Sequence, residues 1–401
     1  LLRHLRALLA QKLDHPQSRT VSFQKFVREI IQAAVPNKKH KNKKSTNSTL
    51  KHMKPKSIKS LLALALLAPG ALFAQTTAKT TPVGYITQTA VGNVAANPSG
   101  ADTYLTPSLI PSALFAAVPT VDPSGLSVVT FSGSVPTGLA GVHVLEITSG
   151  TGEGFWTEVT ATTATTVTVA SPLPSGLSLS TRLVLRKLPT LGSWVGASLV
   201  ASGLSVVDGV NANPPDEIQL FNPLTQAAQT AVYVTTGAGV GADGWYDFVT
   251  QADLTNEPIY PGESVLIKRY GATAISFVSS GEVKTTKTQV DIRPNFNWVG
   301  SPYSVDSTLG AMNFAAILNK EDGDPSTTPE ADFLDILAAD QSTASYVALD
   351  VILGAGNIMA NFVTQADGST IPVVGGTGFI INRSSAASAS AITFPAQVIG
   401  N

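Results

Sequence analysis

Val142-His143-Val144-Leu145-Glu146-Ile147-Thr148 is a short run of alternating and β-branched residues, followed after a turn by Phe155-Trp156-Thr157-Glu158-Val159. Apolar alternation over four to eight residues, bounded by Ser and Gly, is the pattern of a half-buried strand. Runs of the same kind occur at Ser127-Val128-Val129-Thr130-Phe131, Thr166 to Ala170 and Arg182 to Arg186, with Pro-Ser-Gly, Ser-Gly and Ala-Thr-Thr clusters between them. Regularly spaced short strands with turn signals predict an all-β fold, with a small β-barrel or sandwich over residues 75–189. Helical spacing is confined to Ser108 to Ala117, which Pro111 interrupts, and Ala311 to Leu318.

Composition agrees with this reading. Charged residues are 13% of the 401, apolar residues 43%, and there is no cysteine. The apolar share suffices for two or three cored domains, while disulfides and thiolate metal sites are excluded. The overall charge of −1 hides a segregation: residues 75–401 carry eleven Lys and Arg against 25 Asp and Glu, a net of −14. Nucleic acid and anionic membrane surfaces are therefore poor partners for this part of the chain.

The basic residues lie upstream. Met53 opens a stretch with Lys54, Lys56 and Lys59, an apolar run from Leu61 to Leu67, and Ala71-Leu72-Phe73-Ala74 before Gln75. Basic end, short apolar segment and small residue at the cut are the three parts of a secretory signal, predicted here over 53–74 with cleavage after Ala74. The apolar run is shorter than the about 20 residues a bilayer span needs. Residues 1–52, with the basic run Lys38 to Lys44, are read as sequence upstream of the true start, or alternatively as an extended leader or a nucleic-acid tail. Export would place the protein in the periplasm, at the cell surface or outside the cell. After Arg383 the sequence shows no apolar anchor, so attachment is expected to be indirect.

The second half of the sequence carries an internal repeat. Phe248-Val249-Thr250-Gln251-Ala252-Asp253 recurs as Phe362-Val363-Thr364-Gln365-Ala366-Asp367. Without a gap, Pro258 then matches Pro372, Gly262 matches Gly376, Ile267 matches Ile381 and Arg269 matches Arg383. Upstream, Trp194-Val195-Gly196 is paired with Trp298-Val299-Gly300, and Asp216 with Asp332. Two tandem β-rich, sandwich-like units over 190–289 and 290–401 are predicted. Each is expected to hold a strand ending in Trp-Val-Gly, a strand after the Asp, a hairpin, and a last strand at Val265 to Arg269 or Phe379 to Arg383.

Ala101-Asp102-Thr103, Ile147-Thr148-Ser149-Gly150 leading to Gly154-Phe155-Trp156, Leu191-Gly192-Ser193-Trp194 and Gly376-Thr377-Gly378-Phe379 together resemble the motifs of an uncharacterised family of exported bacterial β-rich proteins. The likeness covers most of residues 82–383. The first unit departs from it, with Gly262-Glu263-Ser264-Val265 where the family has Gly and Phe. The resemblance implies export and a β architecture, and brings no known activity and no catalytic residues.

Catalytic vocabulary is sparse. His143 is the single histidine after the leader, so any Ser-His-Asp relay or His-based metal site would have to use it; a lone strand histidine is more often a packed or surface residue. Gly239-Val240-Gly241-Ala242-Asp243-Gly244 fits Gly-x-Gly-x-x-Gly, but strand-like Trp245-Tyr246-Asp247-Phe248-Val249 follows where a dinucleotide site needs a helix, so a hairpin loop is predicted. Glu321-Asp322-Gly323-Asp324, near Glu330, Asp332 and Asp335, is the candidate for a structural calcium, with Glu321, Asp322 and Asp324 as ligands and a solvated acidic turn as the alternative. No other cofactor is expected. Trp245 and Tyr246 are predicted to be the exposed aromatic pair, able to stack a sugar, while Trp194 and Trp298 are assigned to the core.

These readings lead to an exported non-catalytic structural or adhesive protein, whose partners would be cell-surface glycans or other envelope proteins. A glycan-binding module is the alternative, and a carboxylate-dependent glycoside hydrolase stands third. An outer-membrane barrel is disfavoured, because the strands are short and broken by proline.

Overall fold

The computed structural model describes residues 82–94, 97–208, 214–318, 320–321, 331–350, 357–364, 366–384 and 389–396. The upstream segment and the signal sequence lie outside them. The described chain is nearly all strand, in several antiparallel sheets with no closed barrel, a sandwich-like all-β architecture. Among the described residues no helix is long and apolar enough to cross a membrane.

Three apolar clusters divide it. The first lies under a six-stranded sheet ordered Ala113–Ala117, Leu183–Lys187, His143–Ile147, Trp156–Thr162, Thr166–Val169 and Val128–Thr130. Alternation places Leu145, Ile147, Val159, Val167, Val169, Leu183 and Leu185 in one dry cluster with Phe131. Ser108 to Ala117 is extended and not helical: Pro111 separates the strands Leu109–Ile110 and Ala113–Ala117.

The other two clusters underlie two sheets of the same strand order. The central sheet runs Gly244–Asp247, Ala227–Val234, Glu217–Asn222, Val265–Arg269 and Ala101–Leu105. The carboxy-terminal sheet runs Asn357–Asn361, Thr343–Asp350, Phe333–Leu337, Gly378–Arg383 and Asn295–Gly300, with Lys320–Glu321 added in parallel beside Thr343–Asp350. Each packs on an antiparallel strand pair, Val83–Ala90 with Ile275–Val283 in one case and Thr288–Ile292 with Ser390–Phe394 in the other. Ala90, Ile275 and Phe277 share the core of Ile218 and Val265, as Ile292, Ile392 and Phe394 share that of Leu334 and Phe379.

Residues 83–110, expected in the amino-terminal domain, pair with Val265–Arg269 and Ile275–Val283, so in sequence the six-stranded sheet lies between these strands and their partners. The strand placed like Asn295–Gly300 in the central sheet is Ala101–Leu105, and Trp298 takes in its own sheet the place of Tyr104.

Trp194-Val195-Gly196, expected to end a strand, is helical. Thr190 caps the short helix Leu191–Trp194 by accepting from Ser193 N, and Ser193 Oγ accepts from Thr190 N, a reciprocal capping box. Leu191, Trp194, Val195 and Leu199 then fall on one helical face and enter the core. The segment that lies opposite in the carboxy-terminal unit is Thr308-Leu309-Gly310: Leu191 N donates to Glu257 O and Gly192 N to Thr255 O, while Leu309 N donates to Ile371 O and Gly310 N to Ser369 O, all within 2.8–2.9 Å. Glycine is needed at both places, since a Cβ on Gly192 would lie 2.8 Å from Thr255 O and one on Gly310 2.9 Å from Ser369 O.

Paired polar groups recur at matching positions. Asp216 is fully buried, with Oδ2 bonded to Arg269 and Oδ1 accepting from Tyr270 N at 2.7 Å. Asp332 is as buried, with Oδ2 3.1 Å from Arg383 Nε and Oδ1 accepting from Ser384 N at 3.1 Å. The two sheets also hold one another reciprocally. Gln226, in a positive-φ turn, clamps Phe296 by donating to its carbonyl at 3.1 Å and accepting from its N–H at 2.9 Å. Gln341, also at positive φ, clamps Asp102 in the same manner at 3.0 and 2.6 Å. Thr106 N donates to Gly376 O and Gly300 N to Gly262 O. Both edge strands, Ala101–Leu105 and Asn295–Gly300, thereby have their outer backbone groups engaged.

The six-stranded sheet is joined to the rest by buried charge. Glu146 lies between Lys284, in close contact, and Arg186, whose Nε is 3.4 Å away; Arg186 also bonds Glu282 at 2.6 Å and Pro111 O at 2.9 Å. Two acids and two bases balance, as buried ions must.

Candidate functional site

The expected aromatic pair is not exposed. Trp245 has no solvent-accessible surface and meets Tyr233 edge-on, with ring centroids 5.4 Å apart. The cause is strand polarity: Gly244–Asp247 pairs with Ala227–Val234 so that the indole points into the central core, where Met359 fills the matching place in the other unit. Tyr246 is half-buried and donates its hydroxyl to Ala242 O. The residues that protrude are Phe248 and Val249, beyond the buried Asp247, which lie in a turn and not in the strand as expected; Phe362 and Val363 protrude likewise.

The side chains of Glu321, Asp322 and Asp324 lie outside the described residues. Among the described residues no group of three or more His, Asp or Glu is gathered to hold a metal ion. His143 opens its strand with Nδ1 3.2 Å from Ala140 O, away from any relay partner. Gly239 to Gly244 forms a loop, as expected, after the single turn Thr236–Ala238 and before the strand Gly244–Asp247.

What the structure builds is a cleft of about 630 Å³ where the three sheets meet. The six-stranded sheet contributes Trp156 and Glu158, the central sheet Phe221 and the hairpin after it, the loop before Val265 contributes Glu257, Tyr260 and Glu263, and the carboxy-terminal unit adds Asp291, Arg293 and Trp298. Its walls are aromatic. Trp156 stacks on Tyr260 with centroids 5.4 Å apart and planes 14° from parallel, its Nε1 fixed on Gln289 O at 2.8 Å. Trp298, expected in the core, is only partly buried; it stacks on Phe221 at 4.9 Å and 22°, with Tyr104 meeting it edge-on.

Carboxylates line the floor. Tyr260 donates its hydroxyl to Glu158 Oε1 at 2.5 Å and its N–H to Glu263 Oε2 at 2.9 Å. Burial raises the Tyr260 hydroxyl, and its bond to Glu158 adds to the shift. Glu263 is pushed up to about 7, chiefly by desolvation with Glu257 adding repulsion; Glu257 is itself raised by burial. Among the described residues none of Glu158, Glu257, Glu263 and Asp291 forms an ion pair.

No protein-family model matches the chain, and no curated protein matches it. Sequence reasoning missed the cleft because its residues span positions 156–299 and share no local spacing. One signal was present: Gly262-Glu263-Ser264-Val265, the departure from the repeat noted above, places an acid where the second unit has Thr377.

Proposed function

We propose that this chain is an exported, non-catalytic adhesive protein of the periplasm or cell surface, which grips envelope glycans through its cleft. The signal-like sequence of residues 53–74 supports export, with Gln75 as the first residue of the processed protein. The resemblance to exported β-rich proteins supports the same compartment. We read the central and carboxy-terminal units as copies of one ancestral unit, the first interrupted by the six-stranded sheet. Equal strand order, the Asp216–Arg269 and Asp332–Arg383 pairs and the reciprocal Gln226 and Gln341 clamps support that reading.

The observation that carries the glycan reading is the pair of aromatic walls, Trp156 with Tyr260 and Trp298 with Phe221, set around unpaired carboxylates in one open cleft. Ring faces cover the apolar side of a sugar while carboxylates accept from its hydroxyls. On a glycan array, Trp156→Ala should abolish retention of whatever glycan the parent protein binds, with an unchanged circular dichroism spectrum. Retention by the variant, or no retention by the parent, sinks the reading. Fractionating the cells that make the protein should recover it outside the cytoplasm, beginning at Gln75.

One feature favours a second reading. A carboxyl raised to about 7 beside aromatic walls, as Glu263 is, suits a general acid in a glycoside hydrolase. Release of reducing ends from a bound glycan, lost in Glu263→Gln, would transfer the protein to that class.

A further inference from the structure

Four of the five buried acids among the described residues are matched to bases, and the fifth, Asp247, is held by the N–H groups and hydroxyl of its own turn. Asp216 has Arg269, Asp332 has Arg383, Glu146 has Lys284 and Arg186, and Glu282 has Arg186. The cleft has another balance: half-buried Glu158, Glu257 and Glu263 and the exposed Asp291 line it against the single base Arg293, and among the described residues none of them forms an ion pair. Half-buried Glu257 and Glu263, with no base among the described residues within ion-pair reach, would gain from a ligand that brings the charge. The walls that flank them are ring faces, which also attract cations.

The cleft is also extended. A second hollow of about 280 Å³, lined by Phe155, Thr157, Ser171 and Gln289, shares Trp156, Glu158 and Asp291 with it. An elongated ligand with repeated rings would pass over Trp156 from one into the other. A peptide would gain most by pairing with a free strand edge. The edge strand Asn295–Gly300 beside the cleft is already engaged, since Gln226 holds Phe296 and Gly300 N bonds Gly262 O.

Building on the glycan reading above, we propose that the cleft binds a cationic saccharide, a chain of amine-bearing sugar rings whose ammonium groups meet Glu257, Glu263 and Asp291 while the rings stack on Trp156 and Trp298. The missing bases of the cleft are the ligand's own. Glu158, held by Tyr260, positions the aromatic wall.

Isothermal titration of the full chain tests this with three probes: a glucosamine hexamer, an N-acetylglucosamine hexamer and hexalysine. The glucosamine hexamer should bind about tenfold or more tighter than its acetylated counterpart, the effect of one unscreened charge contact. Glu257→Gln combined with Glu263→Gln should remove that preference, and added salt should weaken the parent's binding of the amine form. Equal affinity for both hexamers overturns the cationic preference and leaves the glycan reading standing. Preference for hexalysine overturns it in favour of a basic peptide. No binding of either hexamer, with an empty glycan array, overturns both.

Discussion

The central and carboxy-terminal sheets have one strand order and one set of polar fastenings, yet they border the cleft with different groups. The difference lies in a few side chains and one insertion. Glu263 bridges Val299 where Thr377 bridges Leu105, and Trp298 stands where the other sheet has Tyr104. Glu257 stands where the other unit has Ile371, each carbonyl accepting from the Leu of Thr-Leu-Gly. The six-stranded sheet then brings Trp156 and Glu158 over the central side. Fastenings are shared because burial demands them; the groups facing the cleft differ because the fold does not depend on them.

The largest test of that contrast concerns the buried ion pairs. Asp216→Ala and Asp332→Ala should each lose roughly 3–5 kcal/mol, because each leaves a buried guanidinium without its charge partner. Equal losses in urea denaturation would mark the pairs as equivalent fastenings. A loss below about 1 kcal/mol in only one of them would break the parallel.

The all-β character was legible in the sequence, because short alternating runs set between turn residues suit strands. Asp216 meets Arg269 and Asp332 meets Arg383, since buried charge tolerates few alternatives. Trp194-Val195-Gly196 misled because three residues match easily, whereas Thr190-Leu191-Gly192 and Thr308-Leu309-Gly310 correspond through backbone approach that only the fold shows. The pairing of residues 83–110 was hidden for another reason. Their pairing partners at 265–283 are more than 150 residues away, across an inserted sheet. Trp245 was misplaced because the Gly-rich loop before it suggests exposure, while strand alternation decides which side is inside.

Glu263 sharpens the contrast on the cleft side. Its carboxyl is raised from 4.5 to about 7, so its charged form is disfavoured in the folded state. The native state then holds the proton more tightly than the unfolded chain, and stability falls as pH rises from 4.5 through 7. Glu263→Gln should remove that slope, worth ~2 kcal/mol after discounting for solvent in the cleft. Denaturation at the two pH limits measures it; an undiminished slope in the variant would place its origin elsewhere. Next in size are the reciprocal clamps. Gln226→Ala and Gln341→Ala should each cost about 1–2 kcal/mol, since each strands one backbone N–H and one carbonyl of the facing edge strand. A neutral outcome at both would mean that water replaces them freely.

The smallest effect is expected where the two units differ by a single atom. Asp247 Oδ1 accepts from Val249 N, Thr250 N and Thr250 Oγ1 at 3.0, 2.6 and 2.9 Å, and Asn361 Oδ1 accepts from Val363 N, Thr364 N and Thr364 Oγ1 at 3.1, 2.9 and 3.1 Å. Because one oxygen does the same task in both turns, Asn361→Asp should change stability at neutral pH by less than about 0.5 kcal/mol. The added carboxylate should nevertheless bring a pH dependence. Hydrogen bonds to Asp247, that from Thr250 N foremost, hold its carboxyl below the usual range, and the same donors would act on an acid at 361. A depressed carboxyl stabilises the fold above its unfolded-state value and loses that contribution as pH falls through its folded value. The variant should therefore match the parent at neutral pH and become the more acid-sensitive of the two. Asp247→Asn should do the reverse. If Asn361→Asp instead loses more than about 1 kcal/mol at neutral pH, the two turns have different surroundings despite their common hydrogen bonds.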